Sequence, residues 1–130
     1  MKDTVYNFCT TAFLMFLSLF DLSFVILIFL QIIDLITGLI ANKMDYKRSE
    51  LYKGICKKIY TILLVTVCLV LSKYIHFKEL KTLITFYYIC YETLSIIENG
   101  DKLNVKYPKF LKNFFKTKLS EVDNNEKKES

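Results

Sequence analysis

The sequence predicts an all-α integral membrane protein, and three observations carry that reading. Apolar residues stand in near-continuous blocks, over 12–20, 22–33 and 59–71, rather than at the spacing of a half-buried surface helix. Lysines crowd the stretches between and after these blocks. Nine tyrosines can take membrane–water interfaces, where tryptophan, absent from this chain, would otherwise serve. The 130 residues are about one domain's worth, and a hydrophobic content of 53% suits a soluble protein as well as a membrane one, so the arrangement decides.

The first apolar segment, 8–20, is ended by Asp21 and is shorter than the roughly 20 residues a comfortable span needs. It either lies in the interface or forms a short, tilted fourth helix. No small-x-small cleavage site follows it, so a cleaved signal peptide is not expected. The stretch 22–41 is a firm span, because 20 residues at the helical rise measure about 30 Å, the thickness of a hydrocarbon core. The segment 42–58 reads as a connecting loop, with Lys43, Lys47, Arg48, Lys53, Lys57 and Lys58 against Asp45 and Glu50. Short loops with this excess stay cytoplasmic.

A second span at 59–75 and a third at 83–97 follow, joined by the link 76–82. With the 42–58 loop inside, the second span runs outward and the third returns, which leaves the C-terminus cytoplasmic. Lys102, Lys106, Lys109, Lys112, Lys116 and Lys118 in the C-terminal region agree with that count. Lys78 and Lys81 in the outer link, opposed only by Glu79, run against the charge rule.

A turn is expected around Gly100, and Pro108 suits the start of a helix. From there Phe110, Leu111, Phe114, Phe115 and Leu119 form an apolar stripe with Lys109, Lys112 and Lys116 opposite. Residues 108–119 therefore read as an amphipathic helix on the inner membrane surface, held by anionic lipid; an ordinary helix packed on another element is the alternative. Residues 120–130 are polar and aromatic-free, so disorder is expected there. The division is one membrane domain over 1–119 and a polar tail.

Charge at membrane depth is costly and normally faces protein or water, so the polar residues inside the spans mark what the helices do. Tyr88, Glu92, Ser95 and Asn99 recur at steps of four, three and four and share one helix face, while Glu98 points elsewhere. Asp34, Thr37, Gly38 and Ala41 occupy one narrow sector of the first firm span, combining an acid, a hydroxyl and small residues that let backbones approach. These eight residues either satisfy one another within a monomer or line an oligomer contact or pore. The lysines and arginine of the 42–58 loop, with Lys109, Lys112 and Lys116, set topology and meet lipid.

Enzyme chemistry finds no support. The only histidine, His76, has no Cys or acid at ligand spacing, and Cys9, Cys56, Cys68 and Cys90 form no C-x-x-C pair, so no metal site is expected. Three glycines are too few for a phosphate-cradling loop, and no cofactor is expected. The lysines adjoin membrane spans, which makes lipid a better partner than nucleic acid.

Taken together, "DLITGLIANK", "SELYKGICKK", "FYYICYETLSIIENG" and "YPKFLKNFF" resemble the holins of phage lysis and toxin secretion, including the holin-like proteins encoded with large clostridial toxins. The residues that carry the resemblance are Asp34, Thr37, Gly38, Ala41 and Lys43; Ser49, Lys53, Gly54, Lys57 and Lys58; and Phe86, Tyr87, Glu92, Ser95, Ile96, Glu98, Asn99, Pro108 and Leu111. The chain departs from that family's pattern at Ser72, Lys73 and Tyr74, where members often carry an acid. The resemblance implies a protein of the bacterial cytoplasmic membrane that homo-oligomerises at a set time and opens a large lesion. An endolysin or a toxin would leave through it. An antiholin-type membrane regulator and a small ion channel are the competing readings.

Overall fold

The computed structural model describes residues 1–18, 21–42 and 47–129. Five helices occur among them: α1 (Lys2–Ser18), α2 (Leu22–Ala41), α3 (Arg48–Tyr74), α4 (Lys78–Lys102) and α5 (Lys109–Glu129), with no strand. Residues 19–20 of the N-terminal apolar segment, 43–46 of the expected loop and Ser130 lie outside the described residues.

α2 begins where the sequence places a stop in the preceding apolar run. Asp21 is its N-cap, and the carboxylate accepts the Phe24 N–H at 3.1 Å, satisfying one of the free donors of the first turn. One face of α2 carries Phe24, Leu27, Gln31 and Gly38, all buried, at helical steps of three, four and seven. Opposite them Val25, Ile26, Phe29, Ile32 and Ile36 are exposed. α3 repeats the pattern, with Val65, Leu69 and Ser72 buried and Ile59, Leu63, Val67 and Val70 facing out.

α4 is the hub: α2, α3 and α5 pack on it, whereas α2 and α3 barely meet and α1 packs on no other described element. α2 and α4 run in the same direction, as a Lys81–Asp21 ion pair at one end and an Asn99–Thr37 hydrogen bond at the other establish, and α3 runs against them, its early Lys58 meeting Asp34 and Glu92 in the later halves of α2 and α4. Phe24, Leu27, Val65 and Leu69 form the core, lined by Ile84, Tyr88 and Ile89 of α4. Only 17% of the apolar stretch of α2 and 11% of that of α3 is buried within the chain. The core helix of a water-soluble protein would be mostly buried; these two are long enough and apolar enough to cross a membrane.

Three expectations are corrected, and the third span stays an expectation. The loop expected over 42–58 is helical from Arg48, where Leu51, Gly54 and Lys58 carry the inward face of α3 backward at steps of three and four. The expected third span lies within α4, on which α2, α3 and α5 pack; by length and composition the candidate spans among the described residues are α2 and α3. The turn expected at Gly100 falls later. Gly100 stays in α4, and Asn104 takes the left-handed conformation (φ 57°) that closes the helix, with the Val105 N–H reaching Gly100 O at 3.0 Å and the Asn104 N–H reaching Asp101 O at 3.1 Å. His76 (φ 54°) closes α3 in the same way, the Phe77 N–H reaching Ser72 O at 3.1 Å.

The third correction concerns the C-terminal region. α5 does not end at 119 but continues to Glu129, so the stretch expected to be disordered is largely helical. Val122 extends the apolar face, and α5 folds back along α4 so that Val122 and Asn125 lie beside Leu80, Leu83 and Tyr87. Leu111, Phe115 and Leu119 are half-buried on that side, while Phe110 and Phe114 remain exposed.

Candidate functional site

The polar residues of three helices converge at one level of the bundle. α2 presents Asp34 and Thr37, α4 presents Glu92 and Asn99, and α3 inserts Lys58 between the two acids. The Lys58 ammonium lies 2.8 Å from Asp34 Oδ2 and 2.7 Å from Glu92 Oε2. Asn99 donates its side-chain amide to Asp34 Oδ1 at 3.1 Å and to Thr37 Oγ1 at 3.0 Å, with Asp34 O a further acceptor at 3.4 Å. Thr37 in turn donates to Asp34 O at 3.1 Å. Both carboxylate oxygens of Asp34 are thus engaged, one by a cation and one by an amide.

Burial makes these contacts matter. Glu92 is 3% exposed and Asn99 8%, so each would be costly without a partner. Fully ionised, two carboxylates and one ammonium leave a single negative charge, and the Asn99 amide donates to one of the carboxylates, that of Asp34. Beside the cluster lies a cleft of about 140 Å³ between α2, α3 and α4, lined by Gly38, Glu50, Gly54 and Ser95 among others. A Cβ at Gly54 would meet nothing within 4 Å, so the cleft stays open there because no side chain occupies it.

The structure therefore brings Asp34, Thr37, Glu92 and Asn99 together and sets Gly38 and Ser95 on the adjoining cleft. Tyr88 lies elsewhere, packed against the apolar core and edge-on to Tyr87, with ring centroids 5.2 Å apart. Ala41 is half-buried in the last turn of α2, outside the cluster. Lys47, Arg48, Lys53, Lys57, Lys109 and Lys116 are exposed, and Lys43 lies outside the described residues.

Lys58 departs most from the sequence reading, which grouped it with the lipid-facing lysines. A detectable signal existed: Lys58, Ile62, Val65, Leu69 and Ser72 recur at steps of four, three, four and three, one continuous face, whereas Lys57 falls off it. Starting the helix at 59 hid that register. A second pairing also escaped: Lys81, counted against the charge rule, is ion-paired with Asp21. Burial alone would raise the Asp21 carboxyl, but the Lys81 ammonium and the Phe24 N–H outweigh it and hold Asp21 below its usual value.

At the α4–α5 junction Lys112 lies 2.5 Å from Asp101, and the Tyr107 hydroxyl also donates to Asp101. The Lys112 contact foremost, then that hydroxyl, hold the Asp101 carboxyl below its usual range, and Asp101 raises Lys112. All four cysteines are free thiols, and among the described residues no His, Cys, Asp and Glu side chains are grouped as a metal site.

Exposed apolar helices around a closed polar centre define a helical membrane protein. A model of the bacteriophage holin family matches residues 11–119. The chain belongs to that family, which is not an enzyme family, and its role is holin-like. Among curated relatives it is similar to the uncharacterized proteins Lmo0128 of Listeria monocytogenes and Lin0175 of Listeria innocua. Each is 31% identical over 99 residues, covering 72% of this chain and 69% of the relative. No solved structure matches the chain.

Proposed function

We propose that this protein is a holin: copies accumulate in the bacterial cytoplasmic membrane as closed bundles, then associate and open a lesion that releases an endolysin or a toxin. The carrying observation is the contrast between a polar cluster satisfied inside one chain and an outer surface of exposed apolar side chains. A closed bundle of this kind is tolerated by lipid. A lesion filled with water is not lined by apolar residues, so opening turns the polar faces of α2 and α4 away from each other. In this reading Asp34, Thr37, Gly38, Ala41, Tyr88, Glu92, Ser95 and Asn99 line the opened assembly or its contacts, and water replaces the Lys58 and Asn99 partners.

The proposed topology has α2, α3 and α4 crossing the membrane as one domain, with α5 and the C-terminus on the cytoplasmic side. The basic residues at the α2–α3 connection and after α4 fit that orientation. It carries a requirement: α5, docked along α4, must swing about the 103–108 turn to reach the inner surface, where Phe110 and Phe114 would enter lipid beside Lys109 and Lys116.

The test is inducible expression in a bacterium with and without a cytosolic endolysin, following turbidity and release of a folded cytosolic reporter. Abrupt lysis only with the endolysin, and reporter release without it, are expected. Stable growth with normal insertion would replace this reading with an antiholin-type regulator. Depolarisation that leaves the reporter inside would replace it with a small ion channel.

A further inference from the structure

At the end of the bundle opposite Lys58, a cavity of about 430 Å³ opens between α3, α4 and the start of α2, within the roughly 300–1,000 Å³ of small-molecule sites. Lys73, Lys78 and Lys81 line it against one acid, Asp21. Among the lining residues three ammonium groups face one carboxylate. Lys81 is tied to Asp21, which fixes one wall. His76 adds a ring at the mouth, held there by the left-handed turn that closes α3. The floor is Leu69, 2% exposed, beside Ser72, whose hydroxyl already donates to Phe77 O at 2.9 Å.

Lys78 and Lys81 are the ones the membrane charge rule disfavours at this end, and neither the polar cluster nor the proposed lesion uses these lysines or Lys73. A basic rim over an apolar floor at the end of membrane helices matches a group that is anionic on one side and greasy on the other. We propose that this cavity binds the phosphodiester headgroup of an anionic phospholipid, with Lys73 and Lys78 contacting the phosphate and Leu69 meeting the glycerol–acyl region. The proposal rests on the membrane location of the chain and not on lesion formation.

The test uses the full chain in nanodiscs of phosphatidylcholine with increasing phosphatidylglycerol, counting lipids retained per chain by native mass spectrometry. Phosphatidylglycerol should be retained over phosphatidylcholine. Lys78→Gln should weaken retention about fivefold, as should Lys73→Gln, while Lys78→Arg preserves it. Lys106→Gln, which removes the same charge at the other end of the bundle, should change nothing. Equal retention of the two lipids, or an equal loss from Lys106→Gln, would overturn the site. Displacement by millimolar glycerol phosphate or inorganic phosphate would show a free-phosphate site and overturn the lipid assignment. Retention is read without lysis, so a chain that binds lipid but makes no lesion fails only the holin reading.

Discussion

Among the described residues two three-membered polar clusters are built around an ion pair, and they differ in kind. Asp34, Lys58 and Glu92 meet between three helices, with their side chains 13%, 19% and 5% exposed, and Asn99 completes the set. Asp101, Lys112 and Tyr107 meet at the open α4–α5 junction, where the Asp101 and Lys112 side chains are 39% and 28% exposed. The distances are similar. What separates the clusters is the alternative open to each group when the contact breaks: water at the junction, and an apolar interior at the centre. The central cluster therefore acts as a lock on helix arrangement, and the junction as a light tether.

The sharpest way to break this contrast is Lys58→Met, which leaves two buried carboxylates facing each other. It should destabilise the bundle by about 3–5 kcal/mol, read from unfolding in mixed micelles. Replacing the whole set, Asp34→Leu with Lys58→Met and Glu92→Leu, should restore or exceed the parent stability, by up to about 4 kcal/mol, while slowing or abolishing lysis in the induction assay. If that triple variant unfolds as readily as Lys58→Met alone, the cost does not come from uncompensated charge.

Asn99→Leu tests the amide that joins α4 to α2 and should cost about 1 kcal/mol in the same unfolding measurement. At the junction the effect should be smallest and pH-dependent. Asp101 is held below its usual value, so its contribution is present above the unfolded carboxyl value of about 4 and is lost as pH falls through the lower folded one. Lys112 is raised, so its contribution is present below about 10.4 and is lost as pH rises through the higher folded value. Amide exchange of α5 should accelerate beyond both limits and, at neutral pH, in Asp101→Asn. Asn125→Cys sharpens the comparison from the membrane side. An impermeant maleimide should label it in opened cells and not in intact ones, and labelling in intact cells would place the end of α5 outside.

Much of this was legible from residues. The polar faces of α2 and α4 were readable because 3.6-residue periodicity places Asp34 with Thr37, and Glu92 with Asn99, whatever the partner. Lys58 was not, because a lysine at the edge of an apolar block reads as a headgroup contact until the helix start is known, and the start moved eleven residues upstream to Arg48. The length of α5 was missed for a related reason. A polar tail carries little apolar signal of its own, and Val122 gains meaning only against Leu83 and Tyr87 of another helix.

The sequence by itself determined the helical class, the apolar blocks that require lipid, the charge asymmetry of the connections and the face on which each polar residue sits. These follow from local geometry and from the transfer of side chains between solvents, which each segment expresses alone. Only the tertiary structure decided that Lys58 is the counter-ion of both acids, that Lys81 answers Asp21, and that α4 is the helix on which the others pack. Which charge meets which depends on helix phase, direction and neighbour, and those are properties of the packed bundle that no single segment carries.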